Sequence, residues 1–182
     1  SAAVSCRRPQ TAARIECLVR ALRQQRLHQF SLERESSVMN VSSFNAEFGP
    51  VALVTGASSG IGRSFAERLA AMGMDLVLVA RRVERLEQLA ARLEETCAVR
   101  AHVCQVDLSH ATAARQILDA TSALDIGLVV SNAGFGLKGD HANNDPRAMT
   151  EMLMVNCNTP MLLAHGFIPR LRKRGKGGII FT

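Results

Sequence analysis

From Gly49 onward, short apolar runs alternate with helical stretches, and this alternation constrains the fold more than any other feature of the chain. "PVALVT" is a short, continuous apolar run of the kind that forms a strand buried on both faces. "GIGRSFAERLAAMG" follows, with Ile61, Phe65, Leu69 and Met72 at helical spacing and Gly73 as a stop. "MDLVLVA", "VRAHVCQVD" and "IGLVVSNAG" read as strands two, three and four, and "GGIIFT" as the fifth. "VERLEQLAARLEE", "LSHATAARQILDATSAL" and a long stretch from about Pro146 to Lys173 read as the helices between them. Ser109 is the expected N-cap of the middle one. Strands that alternate with helices pair in parallel and are covered on both faces. The fold class expected is therefore α/β, a doubly wound, Rossmann-type parallel sheet of order 3-2-1-4-5 with right-handed crossovers.

Residues 1–48 break this pattern. "AARIECLVRALRQQRLHQF" places Ile15, Leu18, Val19 and Leu22 at helical spacing and is rich in Arg. A transit peptide and an upstream extension without function both fit, and Glu16, Glu33 and Glu35 weaken the first. Residues 36–50 are rich in Ser and Asn and read as a linker. The expected division is an extension over 1–48, poorly ordered or a single helix, and a partial Rossmann-type domain over 49–182. Residues 1–38 are expected to pack little against the domain. The first Met is Met39, so Ser1 is not read as a natural start.

Composition excludes several classes of protein. With 47% hydrophobic residues the chain is expected to fold, and no apolar run approaches the roughly 18 residues of a membrane span. The net charge of +6 lacks a basic stripe interleaved with aromatics, and there is no Trp or Tyr, so no nucleic-acid partner is expected. Five cysteines, at 6, 17, 97, 104 and 157, have no disulfide-framework spacing, which fits a reducing cytoplasm. His102, Cys104 and the nearby Cys97 read either as metal ligands or as buried and half-buried strand residues. With no second ligand pair at zinc-site spacing, no metal is expected.

The first strand turns into its helix through Thr55-Gly56-Ala57-Ser58-Ser59-Gly60-Ile61-Gly62. Glycines let the backbone turn tightly and let a phosphate approach without an intervening Cβ. The helix N-terminus offers free N–H groups and the positive end of a dipole. A glycine-rich loop alone can be an ordinary turn, but this one leaves a buried strand and opens a helix. No Gly-Lys-Ser/Thr follows, so it is not a nucleoside-triphosphate loop. The second strand ends in Ala80-Arg81-Arg82, where an NAD site places a carboxylate for the ribose hydroxyls. Two guanidiniums there either cap a solvated strand end or hold a 2′-phosphate. With the loop upstream, NADP(H) is the expected cofactor over NAD(H), and Arg81→Asp is expected to weaken it selectively.

Taken in order, these segments resemble the N-terminal part of the short-chain dehydrogenase/reductase family. Residues 55–62 are similar to its TGxxxGxG cofactor loop. "VDLS" at 106–109 is similar to the segment whose aspartate, here Asp107 with Leu108 beside it, contacts the adenine. Ser131-Asn132-Ala133-Gly134 resembles its NNAG motif, with Ser for the first Asn. Asn156 in "LMVNCNTP" matches the helix asparagine of its catalytic tetrad. Pro160 has no N–H to offer the Asn156 carbonyl. That leaves either a plain kink filled by solvent or, as the resemblance implies, a water held in a proton relay. The resemblance implies hydride transfer between a nicotinamide and a carbonyl or alcohol substrate, with a Tyr and a Lys in a YxxxK motif after the fifth strand. The chain contains zero Tyr. The expectation is an oxidoreductase whose sequence here is incomplete at its C-terminus and inactive by itself. The alternatives are a non-catalytic dinucleotide-binding or interaction protein and, more weakly, a methyltransferase. "GFGLKGD" at 134–140 can line one wall of the substrate pocket. The family's long helix often packs between subunits, so a homodimer or tetramer is an open expectation.

Overall fold

Each of the central strands is apolar at nearly every position, so apolar side chains leave it on both faces and both faces need cover. In the computed structural model, which describes residues 41–182, that cover is supplied by helices on either side of one five-stranded sheet. The strands are β1 (Val51–Thr55), β2 (Asp75–Ala80), β3 (Ala101–Gln105), β4 (Ile126–Ser131) and β5 (Gly178–Phe181). All neighbours are parallel, and the order is β3-β2-β1-β4-β5 as the sequence predicts. The expectation that residues 1–38 pack little against the domain lies outside the described residues.

The two faces divide by parity, except at the start of β4, where a register shift puts Ile126 on the same side as Val51 and Val129. Ala52, Val54, Leu76, Leu78, Leu128 and Val130 point to the side covered by α2 (Gly60–Ala71) and α3 (Val83–Cys97), where Ala66, Leu69, Leu86 and Leu93 meet them. Val51, Leu53, Val77, Val79 and Val129 point to the other side, onto Ile117 of α4 (Ala113–Ala120) and Leu163 and Phe167 of α6 (Thr159–Arg174). The chain from β1 runs outward through β2 to β3, then returns past β1 to β4 on the opposite face. The strand order therefore reverses between β1 and β4, and their carboxyl ends open a crevice there. Between β4 and α6 lie a short 3₁₀ turn (His141–Asn143), α5 (Pro146–Leu153) and a π turn (Met154–Asn158). Asp145 caps α5, accepting from the Arg147 N–H at 2.9 Å, with Pro146 at its first position. Among the described residues no helix is long and apolar enough to cross a membrane.

Four sequence expectations are corrected. Residues 41–48, grouped with the linker, form a helix, α1 (Val41–Phe48), whose Phe44 and Phe48 pack on the sheet core. Its C-terminal carbonyls are held by cations: Arg174 donates to the Glu47 and Gly49 carbonyls, and Lys176 to that of Ala46 at 2.6 Å. The buried face of α2 is Gly62, Ala66, Leu69 and Ala70; of the expected stripe Leu69 is buried and Phe65 packs partly on the core, but Ile61 is 65% exposed. Small residues win because α2 lies close against β1 and the turn before it. Ser109 is not an N-cap: Thr112 precedes α4, and Ser109 turns back to Asp107. His102 is exposed on β3, which is the sheet edge, while Cys97 and Cys104 are half-buried. Burial raises the Cys104 thiol above its usual range, which favours its protonated form.

Candidate functional site

The crevice at the carboxyl ends of β1 and β4 is a cavity of about 370 Å³. Of the residues singled out in the sequence, Gly56, Ser58, Ser59, Ile61, Arg81, Arg82, Asp107, Leu108, Asn132, Ala133 and Gly134 line it. Thr55, Gly60, Gly62 and Asn156 do not. Thr55 and Gly62 stand behind the crevice, Gly60 is exposed at the start of α2, and Asn156 lines a neighbouring space.

The turn after β1 is dictated by close approach. Gly56 has φ +69°, and a Cβ there would stand 3.0 Å from Ala133 Cα. A Cβ on Gly62 would stand 2.5 Å from the Gly56 carbonyl oxygen. The first turn of α2 therefore abuts the loop it leaves. Ser59, at the N-cap, makes no side-chain cap, so the N–H groups of that turn are left for an anion.

Thr55 ties β1 to the segment after β4. Its hydroxyl oxygen accepts from the Asn132 N–H at 2.9 Å and the Ala133 N–H at 3.0 Å. Asn132 Nδ2 donates to the Thr55 carbonyl at 3.1 Å, and Thr182 Oγ1 donates to Asn132 Oδ1 at 3.2 Å. Thr55 is 1% exposed, so two backbone N–H groups depend on a buried oxygen. Thr55→Val keeps the shape and removes that oxygen. We expect a loss of about 2 kcal/mol or more, read from urea unfolding, while Thr55→Ser stays within about 1 kcal/mol of the parent.

At the end of β2 the two arginines part. Arg82 Nη2 donates to Ser58 Oγ at 2.8 Å and Ser59 Oγ at 2.9 Å, so its guanidinium lies across the mouth of the glycine turn. Arg81 is 68% exposed and reaches only to 3.9 Å from Asp107 Oδ2. Asp107 Oδ1 accepts from the Ser109 N–H at 3.0 Å and its hydroxyl at 2.8 Å. Partial burial alone would push this carboxyl up. The two Ser109 bonds, with the charges of Arg81 and His110, outweigh it and hold the carboxyl below its ordinary range. Asp107 is therefore an anionic acceptor at neutral pH. Behind it, Thr159 Oγ1 donates to the Leu108 carbonyl at 2.9 Å and fixes this wall to α6.

Asn156 lies in the π turn, where the Thr159 N–H reaches back to the Met154 carbonyl. Such turns are frequent at functional sites. Its side chain forms a two-point clasp: Nδ2 donates to the Phe135 carbonyl at 2.8 Å, and Oδ1 accepts from the Phe135 N–H at 3.0 Å. Sequence spacing drew attention to its main chain and missed this. Val106, Phe135 and Val155 also line the crevice. Each is the immediate neighbour of a residue singled out, or lies in the "GFGLKGD" stretch, which is the signal that could have found them. Among the described residues no group of three or more His, Cys, Asp or Glu is placed to hold a metal.

A family model described as short chain dehydrogenase matches residues 50–182. A 7beta-hydroxysteroid dehydrogenase of Clostridium sardiniense is 35% identical over 138 residues, covering 76% of this chain and 53% of that protein. Among solved structures, a short-chain dehydrogenase from Sphingobium yanoikuyae in complex with NADPH superposes with a TM-score of 0.70 at 35% identity, covering 73% of this chain and 52% of that one. The bulky-bulky ketone specific alcohol dehydrogenase from Comamonas testosteroni gives 0.69 at 37%, covering 73% and 54%. The chain thus spans about half the length of the relatives it matches.

Proposed function

The chain belongs to the short-chain dehydrogenase family, a family of oxidoreductases, and from that premise we propose that it supplies the NADP(H)-binding half of an enzyme that interconverts a carbonyl compound and an alcohol. The observation that carries the cofactor preference is the Arg82 guanidinium lying on Ser58 and Ser59, at a strand end without a carboxylate. A planar fork and two hydroxyls suit a 2′-phosphate. The rest of the crevice fits a dinucleotide as well. Gly56 and Gly62 leave backbone room that a Cβ would fill, and α2 presents uncapped N–H groups.

In this reading Thr55, Gly56, Gly60, Ile61 and Gly62 shape the pyrophosphate turn. Arg82, with Arg81 beside it, holds the 2′-phosphate, and the Asp107 carboxylate with Leu108 receives the adenine. Asn132, Ala133 and Gly134 carry the nicotinamide end. When bound, NADPH supplies a hydride to the carbonyl carbon while a proton goes to the oxygen, giving the alcohol and NADP⁺. Asn156 acts as a positioning residue through its clasp on Phe135, and its π turn is the place for a relay water. The 182 residues contain zero Tyr. In this reading the Tyr/Lys pair that the family resemblance implies belongs to the length of the relatives that this chain does not match. Leu153, Met161 and Ile168 are exposed on α5 and α6 and suit self-association as a homodimer or tetramer. The irregular cysteine spacing supports a cytoplasmic location.

The test expresses the full reading frame that encodes this chain and follows NADPH absorbance with a panel of aldehydes and ketones. Turnover with NADPH, and at least tenfold lower kcat/KM with NADH, is the expected result. The second reading is a non-catalytic dinucleotide-binding or interaction protein. NADPH binding without turnover of any compound would establish it instead.

A further inference from the structure

We propose that the ring of Phe135 is the wall that sets how bulky a carbonyl compound the site accepts, an inference that rests on the oxidoreductase reading above. Phe135 is flanked by Gly134 and Gly136, so neither neighbour in the chain shares the space that its side chain occupies. Its backbone is held at both polar groups by the Asn156 amide, at 2.8 and 3.0 Å. Fixing the N–H and the carbonyl of one residue fixes the direction in which its Cα–Cβ bond leaves the chain. An aromatic ring has only two side-chain torsions left to order, so it makes a rigid wall at small entropic cost.

Phe135 is 37% exposed and lines two spaces. One is the crevice of about 370 Å³. The other, about 270 Å³, is lined by Gly134, Asn156, Pro160, Phe181 and Thr182 among others. Ala133, Gly134 and Phe135 are common to both. Two of these carry a methyl group or nothing, so Phe135 has the one bulky side chain among the residues that the two spaces share. With the phosphorylated ribose at Arg82 and the adenine at Asp107, the reacting end of the dinucleotide lies toward Asn132–Phe135. The smaller space is then where the substituents of the carbonyl carbon go. The Asn156 amide is engaged with Phe135, and the Thr182 hydroxyl donates to Asn132. Phe135, Pro160 and Phe181 present apolar surface there. The class of ligand that fits is a carbonyl compound with an apolar substituent, its size limited by the ring.

The experiment uses the full reading frame, as parent and as Phe135→Ala, Phe135→Leu and Phe135→Trp. Each is assayed for NADPH-dependent reduction of aldehydes and ketones from two carbons to two fused aromatic rings, with NADPH affinity and thermal midpoint measured alongside. The expected result is a graded change in the ratio of kcat/KM for the bulkiest to the smallest compound that the parent reduces. The ratio rises about tenfold in Phe135→Ala, rises less in Phe135→Leu and falls below the parent in Phe135→Trp, each read at saturating NADPH so that a change in cofactor affinity does not enter the ratio. A ratio constant within about twofold across the four proteins, with the parent active, would overturn this inference and leave the oxidoreductase reading standing. A parent that reduces none of the compounds would overturn both.

Discussion

Gly62→Ala is expected to weaken NADPH binding by more than tenfold and to lower the thermal midpoint by several degrees. The added methyl would stand 2.5 Å from the Gly56 carbonyl oxygen and 2.8 Å from its carbon, distances that real Cβ atoms do not occupy. Both neighbours are backbone, so no side-chain rotation relieves the clash. Either the first turn of α2 moves away from the loop or the loop moves toward Asn132, whose amide also lies against that position. Overpacking of this kind costs about 1–3 kcal/mol in a well-packed interior. Here it also shifts the N–H groups that face the crevice, so binding suffers beyond stability. Gly60 supplies the contrast. It has φ +57° but nothing within 4 Å of its Cβ direction. Gly60→Asn, which tolerates the left-handed region, is expected to change the midpoint by less than about 1 kcal/mol equivalent. NADPH titration and thermal unfolding of both variants check the pair. Equal behaviour at the two positions would show that the glycines serve only local conformation.

The contrast between Gly60 and Gly62 also marks what the sequence could reveal. That the loop needs small residues was legible, because a strand, a tight turn and a helix in that order leave no alternative. Which glycine faces backbone and which faces open space was not, since it depends on the angle at which α2 leaves the sheet. The sheet order was legible for a similar reason: both-sided apolar strands linked by helices admit few arrangements. Ile61 was misplaced because helical periodicity identifies an apolar stripe without saying which stripe the sheet selects. The sheet took Gly62 and Ala66, which permit a closer approach, and left Ile61 at the crevice. Helix α1 was hidden by its Ser and Asn content, and its support comes from Arg174 and Lys176, more than 120 residues away in sequence. The clasp of Asn156 on Phe135 spans 21 residues and was invisible for the same reason.

The two arginines after β2 are equivalent in sequence and unequal in space, and this makes the second large effect asymmetric. Arg82→Ala is expected to weaken NADPH binding about 10- to 100-fold while leaving NADH within about threefold. A charge-assisted hydrogen bond to phosphate contributes about 1.5–3 kcal/mol, and each 1.36 kcal/mol is a factor of ten. The Arg82 guanidinium is already held by Ser58 and Ser59 at the mouth of the turn, so little side-chain freedom remains to be lost when an anion arrives. Arg81 is 68% exposed and its nearest carboxylate oxygen is 3.9 Å away, so its charge acts through solvent and is screened. Arg81→Ala is expected to cost less than about tenfold, and raised salt should erase most of that difference while sparing more of the Arg82 contribution. Replacing the charge rather than removing it sharpens the test. Arg82→Asp sets a carboxylate where the 2′-phosphate lies and should reverse the preference toward NADH, whereas Arg81→Asp should only reduce it. Titration of all four variants with NADPH and NADH at low and high ionic strength separates the two positions. If Arg81→Ala proved the more damaging to NADPH binding, the fork across Ser58 and Ser59 would be a strand-end cap, and the phosphate would lie on the solvent side of the crevice.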